Sequence, residues 1–393
     1  MLRRVEARDF ADSLFGAPAR EPGNRYAFTY YLPKPIPRDL DLGREVVAAL
    51  SEADGALGLL HGLGTLVSDP SLLIGPYRRR EALASSQIEG TQTSLSEVFQ
   101  AEVNEQANSD DVMEVRRYLE ATDLAYELVK TLPITQRLVL QVHEVLLRGV
   151  RGESRNPGEY RRSPVWVGRP GATPETAAFV PPLPAHLPEL MTDWERFVND
   201  DGRSLPPLVQ AALMHYQFET IHPFLDGNGR IGRLLINVLL MERQRLSEPL
   251  LYLSHYFETH RDEYYAALQD VREAGDIDGW FRFFLRAVRE QADDAVTRAR
   301  ALIQLRETYL SEASRSRSNL TALVEIVMRN PYVTAQSVQV SLGMTNQGAR
   351  NLIRTAESRG WLVSLGAAGR GGRQQWYAPE VLQIMDAPMQ YPD

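Results

Sequence analysis

The sequence predicts a mainly α-helical protein in which one β-hairpin interrupts a large helical domain, followed by a linker helix and a small winged helix-turn-helix domain. Apolar residues recur at helical spacing through most of the 393 residues. Short β-prone runs between turn residues lie around residues 165–182 and 362–377. The chain therefore divides into an N-terminal segment, the helical domain, the linker helix and the winged domain. Their predicted bounds are residues 1–110, 111–290, 291–317 and 318–383.

Composition excludes several kinds of site. The chain has no cysteine, which rules out disulfides, thiolate metal sites and a cysteine nucleophile. No apolar run approaches the length of a membrane span and the N-terminus lacks the apolar core of a signal peptide, so we expect a cytoplasmic protein without a membrane partner. The net charge of −8 is uneven, because residues 315–381 carry eight arginines and three glutamates, a net of +5. This asymmetry is more informative than the total.

The predicted elements follow the apolar periodicity in chain order. Residues 1–42 are rich in proline, glycine and aromatic residues, and we expect an extended arm over a later domain, without regular structure. The helices at 187–198 and 206–220 are expected to be amphipathic, and the lone His143 to be structural. All helices predicted before the winged domain lie at residues 42–66, 77–87, 94–102, 110–132, 134–147, 187–198, 206–220, 234–240, 250–258, 261–271, 280–288 and 291–313.

The most informative stretch is residues 222–233, HPFLDGNGRIGR, directly before an apolar helix. Gly227 and Gly229 let backbone amides turn inward where the polar loop meets the helix N-terminus, which forms an anion-binding concavity. Arg230 and Arg233 lie three residues apart on one helical face, where guanidinium groups can bind phosphate oxygens. The spacing therefore predicts a phosphate site.

Four other residues of this stretch have roles that their chemistry suggests. His222 has the pKa range for taking a proton from a hydroxyl near neutral pH. Asp226 is a hard oxygen ligand suited to Mg²⁺ beside substrate phosphates. Asn228 can donate its amide to a phosphate oxygen, and Phe224 is expected to anchor the loop on the core. The alternative is a capped loop with two surface arginines and no catalytic role.

The same residues resemble the HPFxDGNGRxxR signature of the Fic family at every specified position. Proteins of that family use ATP to transfer AMP onto Ser, Thr or Tyr hydroxyls of proteins. The resemblance implies a Fic-type catalytic domain at residues 111–290, with His222 as the base and Asp226 as the Mg²⁺ ligand. The nucleotide-binding residues that it implies are Gly227, Asn228, Gly229, Arg230, Ile231, Gly232 and Arg233.

A second segment resembles the (S/T)xxxE(G/N) inhibitory motif of Fic proteins. Its residues here are Ser85, Glu89 and Gly90, at the end of the helix predicted for residues 77–87. A glutamate that pairs with Arg233 would block the position of the ATP γ-phosphate. The resemblance therefore implies that the N-terminal segment inhibits the enzyme; a solvated helix end with a glycine cap is the alternative.

The hairpin segment resembles the flap of Fic proteins, through GxYR, VW(I/V)G and (Y/F)VPP runs. An exposed hairpin edge can add a target segment as an extra strand through main-chain hydrogen bonds. The alternative is a plain connecting hairpin. The flap residues expected to dock the target are Val165, Trp166, Val167 and Gly168.

By resemblance, Tyr264 and Tyr265 flank the adenine of ATP. Aromatic rings suit stacking on adenine. Both tyrosines are equally compatible with a place in the hydrophobic core.

A winged helix-turn-helix is predicted for the C-terminal segment. The pattern consists of three short helices at residues 320–328, 334–342 and 345–359, then strands at 362–364 and 374–377. Its third helix and wing carry side chains that suit DNA grooves and phosphates. The same fold also serves as a protein-binding module, so DNA and protein partners stay open. The possible DNA contacts are Asn346, Gln347, Arg350, Arg354, Arg370 and Arg373.

Together these features predict an autoinhibited protein adenylyltransferase that acts on protein hydroxyls, its own included, and that is compatible with a homodimer. Two other hypotheses compete with it. One keeps the fold but uses another nucleotide donor, transfers a phosphoryl group or removes AMP, for which Glu89 is relevant. The other is a DNA-binding regulator in which the Fic-like domain acts as a sensor.

Overall fold

The structure, a computed structural model, is mostly helical with two small antiparallel sheets, which confirms the predicted fold class. Most of its buried apolar side chains join into one continuous core that runs from the first helix into the C-terminal domain. The residues that it describes are 9–21, 23, 26–66, 71–104, 109–169, 171–314, 319–368 and 373–387.

The N-terminal arm contains regular structure, contrary to the sequence-based expectation. Strands β1 (Gly16–Ala19) and β2 (Tyr30–Pro33) pair antiparallel. The backbone amide of Tyr31 donates to the carbonyl of Val180 at 2.9 Å, so β2 lies beside the segment predicted as the flap. Tyr30 and Tyr31, two of the aromatic residues that suggested a wrapped arm, are buried within β2, and the arm does lie over a later part of the chain.

Five helices form the first half of the domain, and each was predicted. They are α1 (Arg44–Leu66), α2 (Ser71–Ile88), α3 (Leu95–Val103), α4 (Asp110–Val129) and α5 (Gln136–Leu147). Helix α2 begins earlier than the sequence suggested, because Pro76 lies inside it instead of preceding it. Ser94 caps α3 with a capping box to Glu97, and Ser109 and Thr135 cap α4 and α5. These caps explain why the predicted starts are accurate.

Six further helices complete the domain: α6 (Leu187–Asn199), α7 (Pro207–Ile221), α8 (Asn228–Glu242), α9 (Leu253–Thr259), α10 (Arg261–Ala274) and α11 (Ile277–Ala313). The prediction that α7 is amphipathic is wrong, because every residue from Leu208 onward is buried. Some of its polar groups are satisfied internally, such as the Gln210 amide, which donates to the carbonyls of Phe197 and Val198. A helix that neighbours cover on all sides has no solvent face for polar residues to mark.

The two helices predicted at residues 280–288 and 291–313 are one continuous helix, α11. No proline or glycine lies at the predicted break, so nothing in the backbone ends the helix there. The proposed boundary between catalytic domain and linker falls inside α11, which packs against α1 along its length. The four-part division of the chain stays a prediction.

Helix α1 corrects the expectation that no apolar run approaches membrane-spanning length. Residues 44–65 have a mean hydropathy of 1.2 over a stretch long enough to cross a bilayer. In the structure its buried residues, among them Val46, Leu57 and Leu60, join the core against α11. Helices of protein cores pass the same test of length and composition.

The C-terminal domain has the predicted helices and wing, with two elements that the sequence did not reveal. The elements are α12 (Leu320–Arg329), β3 (Tyr332–Thr334), α13 (Ala335–Leu342), α14 (Asn346–Ser358), β4 (Val363–Ala368), β5 (Arg373–Tyr377) and α15 (Pro379–Asp386). The sheet order is β3-β5-β4. Strand β3 and helix α15 were missed because each is very short. Gly343, with φ of +60°, makes the tight turn between α13 and α14.

The winged domain packs on α2, the helix that carries the predicted inhibitory motif. Arg80 of α2 donates to the carbonyl of Met385 in α15 at 2.6 Å. Arg79 forms a bidentate ion pair with Glu102, and the amide of Asn330 donates to the same carboxylate at 3.1 Å. Arg298 of α11 donates to two carbonyls at the end of α15. One side of α2 is therefore fixed by the C-terminal domain.

Candidate active site

The signature stretch lies between two buried helices. Helix α7 ends at Ile221, and His222 follows in the left-handed conformation with φ of +50°. Helix α8 begins at Asn228 after Gly227, which has φ of +81°. The first amides of α8 have no partner within the helix and point to the loop. The predicted geometry of a loop that enters a helix N-terminus is therefore present.

Arg161 holds the strained backbone at His222 in place. Its fully buried guanidinium donates to the carbonyls of His222 at 2.8 Å, Pro182 at 2.6 Å and Ile221 at 3.2 Å. Its own amide donates to the carbonyl of Pro223 at 2.9 Å. A non-glycine residue at positive φ persists only where its surroundings fix it. Arg161 is the arginine of the GxYR run, and the sequence alone predicted no role for it.

His143 and Phe224 seat the loop on the core. Their rings stack with centroids 3.7 Å apart and an interplanar angle of 8°. The amide of Gly158 donates to His143 Nδ1 at 2.9 Å, so the ring proton is on Nε2, which donates to the carbonyl of Asp226 at 3.0 Å. Burial lowers the pKa of His143 to about 4. Both residues are structural, as predicted from the sequence.

Asn228 closes the loop from within. Its side-chain oxygen accepts from the amide of Phe224 at 2.8 Å, and its amide donates to the carbonyl of the same residue at 2.9 Å. Ile231 is a core residue of α8. Both residues were predicted to bind nucleotide; in the structure their side chains contact the protein interior.

Arg230 has the features of an anion-binding group. Its side chain is 1% exposed, and among the described residues its Nε and Nη1 have no hydrogen-bond partner. Its Nη2 donates to Asp226 Oδ1 at 3.2 Å. A buried guanidinium with unsatisfied donors is costly without an anion. Phosphate oxygens would supply the acceptors that these donors lack.

Arg233 is bound by the end of helix α2. Its Nη2 donates to Glu89 Oε1 at 2.8 Å and to the carbonyl of Ser85 at 2.8 Å, while its Nε donates to Ser85 Oγ at 3.0 Å. A Cβ at Gly229 would overlap the Glu89 carboxylate, so the glycine leaves the space that Glu89 fills. The structure therefore brings together the residues that the sequence predicted on separate segments.

A second group of charges holds the segment around Glu89. Arg151 donates to the Glu89 carbonyl and to the buried carboxylate of Glu114, both at 3.3 Å. Thr91 Oγ1 donates to Glu114 at 2.8 Å. Glu114 also lies 3.9 Å from Arg230 Nη1. This group of charges was not predicted from the sequence, because its residues come from four segments that no motif connects.

Burial and charge set the protonation states at the site. Burial raises the pKa of Glu89, but the charge and hydrogen bond of Arg233 outweigh it and lower the pKa overall. Burial and the charge of Arg161 lower the pKa of His222 to about 4. His222 is therefore neutral at pH 7, and its Nδ1 donates to the carbonyl of Glu219 at 3.3 Å. This leaves Nε2 with the lone pair that a base requires.

The two tyrosines that the resemblance placed at the adenine differ in exposure. Tyr264 is buried, stacks on Phe257 with centroids 4.7 Å apart, and pairs its hydroxyl with His215 Nε2 at 2.8 Å. Tyr265 is 40% exposed and lies within electrostatic range of Glu89 and Arg233. Tyr264 is thus a core residue, whereas Tyr265 is partly exposed and interacts electrostatically with Glu89 and Arg233.

The flap has one bridge instead of two paired strands. The amide of Val167 donates to the carbonyl of Phe179 at 2.8 Å, and the reverse bond is 3.1 Å. Pro164 and Pro181 stand on either side of the paired residues, and proline cannot extend such a ladder. Trp166, which is 43% exposed, donates from its ring to the carbonyl of Ala172.

Four of the possible DNA contacts lie on the exposed face of α14, namely Asn346, Gln347, Arg350 and Arg354. Arg350 donates to the side-chain oxygen of Asn346 at 3.0 Å. Arg373 is the first residue of β5. Arg370 lies outside the described residues. The structure thus presents the polar face of α14 to solvent and buries its apolar face.

The fold and site define a helical domain with a phosphate cradle, a neutral histidine and an arginine bound by a glutamate from the N-terminal segment. Residues 47–127 match the model described as the Fic/DOC family N-terminal region, and residues 133–240 match that of the Fic/DOC family. These two regions of the chain are therefore similar to the Fic/DOC family.

Named relatives agree with this assignment. The chain is 34% identical over 214 residues to "Protein adenylyltransferase Fic" of Drosophila persimilis, which covers 54% of this chain and 38% of that protein. The chain therefore spans less than half of that relative. A Fic family protein from Desulfovibrio desulfuricans G20 is 22% identical, with a TM-score of 0.56 over 91% of this chain and 100% of that one. A Fic-1 fragment from C. elegans is 21% identical, with a TM-score of 0.50 over 66% and 74%. The two structures support the fold.

We predict that His143 makes the protein less stable in mild acid. Its pKa is about 4 in the folded protein and 6.5 ordinarily, so the unfolded chain takes up a proton that the folded chain does not bind. Its contribution to stability is complete above pH 6.5 and is lost as pH falls towards 4. In His143→Gln the free energy of unfolding should fall less steeply over this range, by up to about 1.4 kcal/mol per pH unit. Denaturant unfolding at several pH values measures it; an unchanged slope would contradict it.

Proposed function

We propose that this protein is an adenylyltransferase that transfers AMP from ATP to hydroxyl groups of proteins, and that Glu89 inhibits it. The observation that carries the proposal is the contact between Glu89 and Arg233 inside a phosphate cradle, close to a neutral His222. The names of the relatives support the reaction. Activity, substrates and partners are proposals for this chain.

The triphosphate would bind between the first turn of α8 and its two arginines. Arg230 offers two donor nitrogens that have no partner among the described residues, and the amides of the first turn of α8 lie at the same helix N-terminus. Arg233 would hold the γ-phosphate after Glu89 leaves. Tyr265 is exposed next to Arg233 and suits contact with the adenine.

Asp226 fits the role of a Mg²⁺ ligand. Its Oδ1 accepts from the amide of Gly227 and from Arg230, which leaves Oδ2 available. Mg²⁺ often takes only one or two carboxylates and completes its shell with phosphates and water. Bound there, the ion would neutralise phosphate charge. The described residues contain no group of three or more His, Cys, Asp or Glu side chains placed to share a metal ion.

In the proposed reaction His222 is the proton acceptor and pyrophosphate is the leaving group. The oxygen of the target hydroxyl bonds to the α-phosphorus of ATP, the bond from that phosphorus to the oxygen that bridges to the β-phosphate breaks, and pyrophosphate leaves. The hydroxyl proton goes to Nε2 of His222, since Nδ1 already holds a proton. The exposed edge around Val167 would align a target segment by main-chain hydrogen bonds. Segments of the same chain are candidate targets.

We predict that removal of the Glu89 carboxylate activates the enzyme. With α-labelled ATP, wild type should label itself weakly and His222→Ala should not label itself. Glu89→Gly should label itself at least about tenfold more strongly than wild type, because it removes a charge-assisted hydrogen bond of roughly 1.5–3 kcal/mol that holds Arg233. The labelling of total protein over time measures the effect. Glu89→Gln should lie between wild type and Glu89→Gly.

The control is Glu127→Gly, which removes a glutamate from the exposed face of α4 and leaves Arg233 untouched. It should label itself like wild type. Equal labelling of wild type, Glu89→Gly and His222→Ala would exclude the mechanism. No gain from Glu89→Gly, with His222→Ala still inactive, would exclude the inhibition alone.

We predict a strict Mg²⁺ requirement that depends on Asp226. EDTA should abolish labelling by Glu89→Gly, and added Mg²⁺ should restore it. In Glu89→Gly/Asp226→Asn, half-maximal labelling should need about tenfold more Mg²⁺, since the amide is a weaker ligand. Titration of labelling rate against Mg²⁺ measures the shift. The same Mg²⁺ dependence in both proteins would show that Asp226 does not hold the ion.

A second candidate function is DNA binding by the winged domain, which the exposed polar face of α14 favours. The full chain should shift duplex DNA in a gel at low salt, with affinity that falls as salt rises. Arg350→Ala/Arg354→Ala should weaken the shift about tenfold or more. Arg300→Ala, an exposed arginine of α11, should leave it unchanged. No shift, or equal shifts for all three proteins, would favour a protein partner.

The same fold could carry out other chemistry, and the same labelling assays would detect it. AMP removal would appear as loss of prelabelled AMP. A different nucleotide donor or phosphoryl transfer would appear as label from another nucleotide. A cytoplasmic location and a homodimer also belong to this proposal. Cell fractionation and light scattering address them.

A further inference from the structure

The carboxylate of Glu219 lies beside the catalytic histidine. Glu219 is in the last turn of α7, three residues before His222. Its Oε2 is 3.9 Å from His222 Nδ1, and its backbone carbonyl accepts from the same nitrogen at 3.3 Å. The side chain is 10% exposed, and Oε1 has no hydrogen-bond partner among the described residues. No motif or comparison drew attention to this residue.

A glycine on α8 leaves space for the Glu219 carboxylate, and nearby charged residues influence its ionisation. A Cβ at Gly232 would lie 2.5 Å from Glu219 Oε1, so the glycine on α8 is needed for the carboxylate to fit. The charged groups that act on it from neighbouring elements are Arg233 of α8, Arg272 of α10 and Glu89 after α2. Gly232 was predicted to bind nucleotide, whereas here its missing side chain serves Glu219.

We propose that Glu219 is a positioning residue for His222: its backbone carbonyl accepts the hydrogen bond from Nδ1, and its carboxylate stabilises the imidazolium formed during AMP transfer. This inference rests on the proposed function. The target hydroxyl gives its proton to Nε2, the Nδ1 proton stays on the ring and bonds to the carbonyl of Glu219, and the carboxylate, with Oε2 3.9 Å from Nδ1, balances the positive charge. A group that orients a base through its second nitrogen is an established arrangement in enzymes.

The ionisation of Glu219 determines when this support is available. The pKa of the Glu219 carboxyl is raised overall to about 7. Burial is the largest cause of the rise, the charge of Arg233 opposes it, and the charge of Glu89 adds to it. The carboxylate is therefore charged above that pH and neutral below it. Because the pKa of His222 is lower, at about 4, the acid limb of the reaction should follow Glu219 and not His222.

The activity test uses the full chain with Glu89→Gly as the parent. Adding Glu219→Gln should lower kcat about tenfold or more, leave KM for ATP within about twofold, and move the acid limb of kcat to lower pH. Glu219→Asp should recover part of the rate. Glu81→Gln, which alters another buried carboxylate that pairs with Ser254 and not with His222, is the matched control. It should keep the parent's acid limb.

A second measurement does not depend on activity. In ¹⁵N-histidine NMR of the wild-type chain, the His222 signal should show a step near pH 7 as Glu219 ionises beside Nδ1. The step should vanish in Glu219→Gln and persist in Glu81→Gln. Absence of the step in wild type, or an unchanged acid limb in Glu219→Gln, would overturn the role of Glu219. If no variant labels itself but the NMR step is present, the proposed function fails and the pairing stands.

Discussion

The ion pair between Arg233 and Glu89 is the contact on which the site depends. It joins the second turn of α8 to the end of α2, two elements that are far apart in sequence. Ser85 contributes two more acceptors, so three of the five N–H donors of the buried guanidinium bond to the N-terminal segment. A buried arginine needs such partners, because an unpaired charge is costly in the interior. Whatever displaces Glu89 must therefore offer an equivalent anion, which a triphosphate does.

Helix α2 connects this contact to the rest of the molecule. Its earlier turns carry Arg79 and Arg80, which bind the α3 segment and α15. Arg151 holds the Glu89 carbonyl from another side. The catalytic loop is fixed independently, by Arg161 on the His222 backbone and by His143 on the Asp226 carbonyl. These contacts of the loop involve neither Glu89 nor Arg233, so the proposed inhibition would act on Arg233 and leave the contacts that hold His222 in place.

Local signals explain what could be predicted from the sequence. Helix starts were accurate where Ser94, Ser109 and Thr135 cap them, and the signature loop was accurate because its glycines fix the turn. The pairing of Ser85 and Glu89 with Arg233 followed from a resemblance, not from spacing. Features that depend on packing were missed. Nothing in the sequence marks that neighbours bury α7 on every side, or that Glu219 and Gly232 fit together across two helices. The continuity of α11 was missed although no proline or glycine interrupts it at the predicted break.

The geometry also limits how inhibition can be released. Glu89 lies one residue past the end of α2, before Gly90, whose φ of +97° ends the helix. Moving α2 as a rigid body would break the contacts of Arg79, Arg80 and Tyr77, the last of which donates to a carbonyl of α11. Moving Glu89 alone breaks the pair with Arg233 and the bond from Arg151. The local movement costs fewer buried contacts, and it clears the space beside Gly229 that phosphate needs. The balance therefore favours a local movement of Glu89 in the proposed release, with α2 and the winged domain still in place.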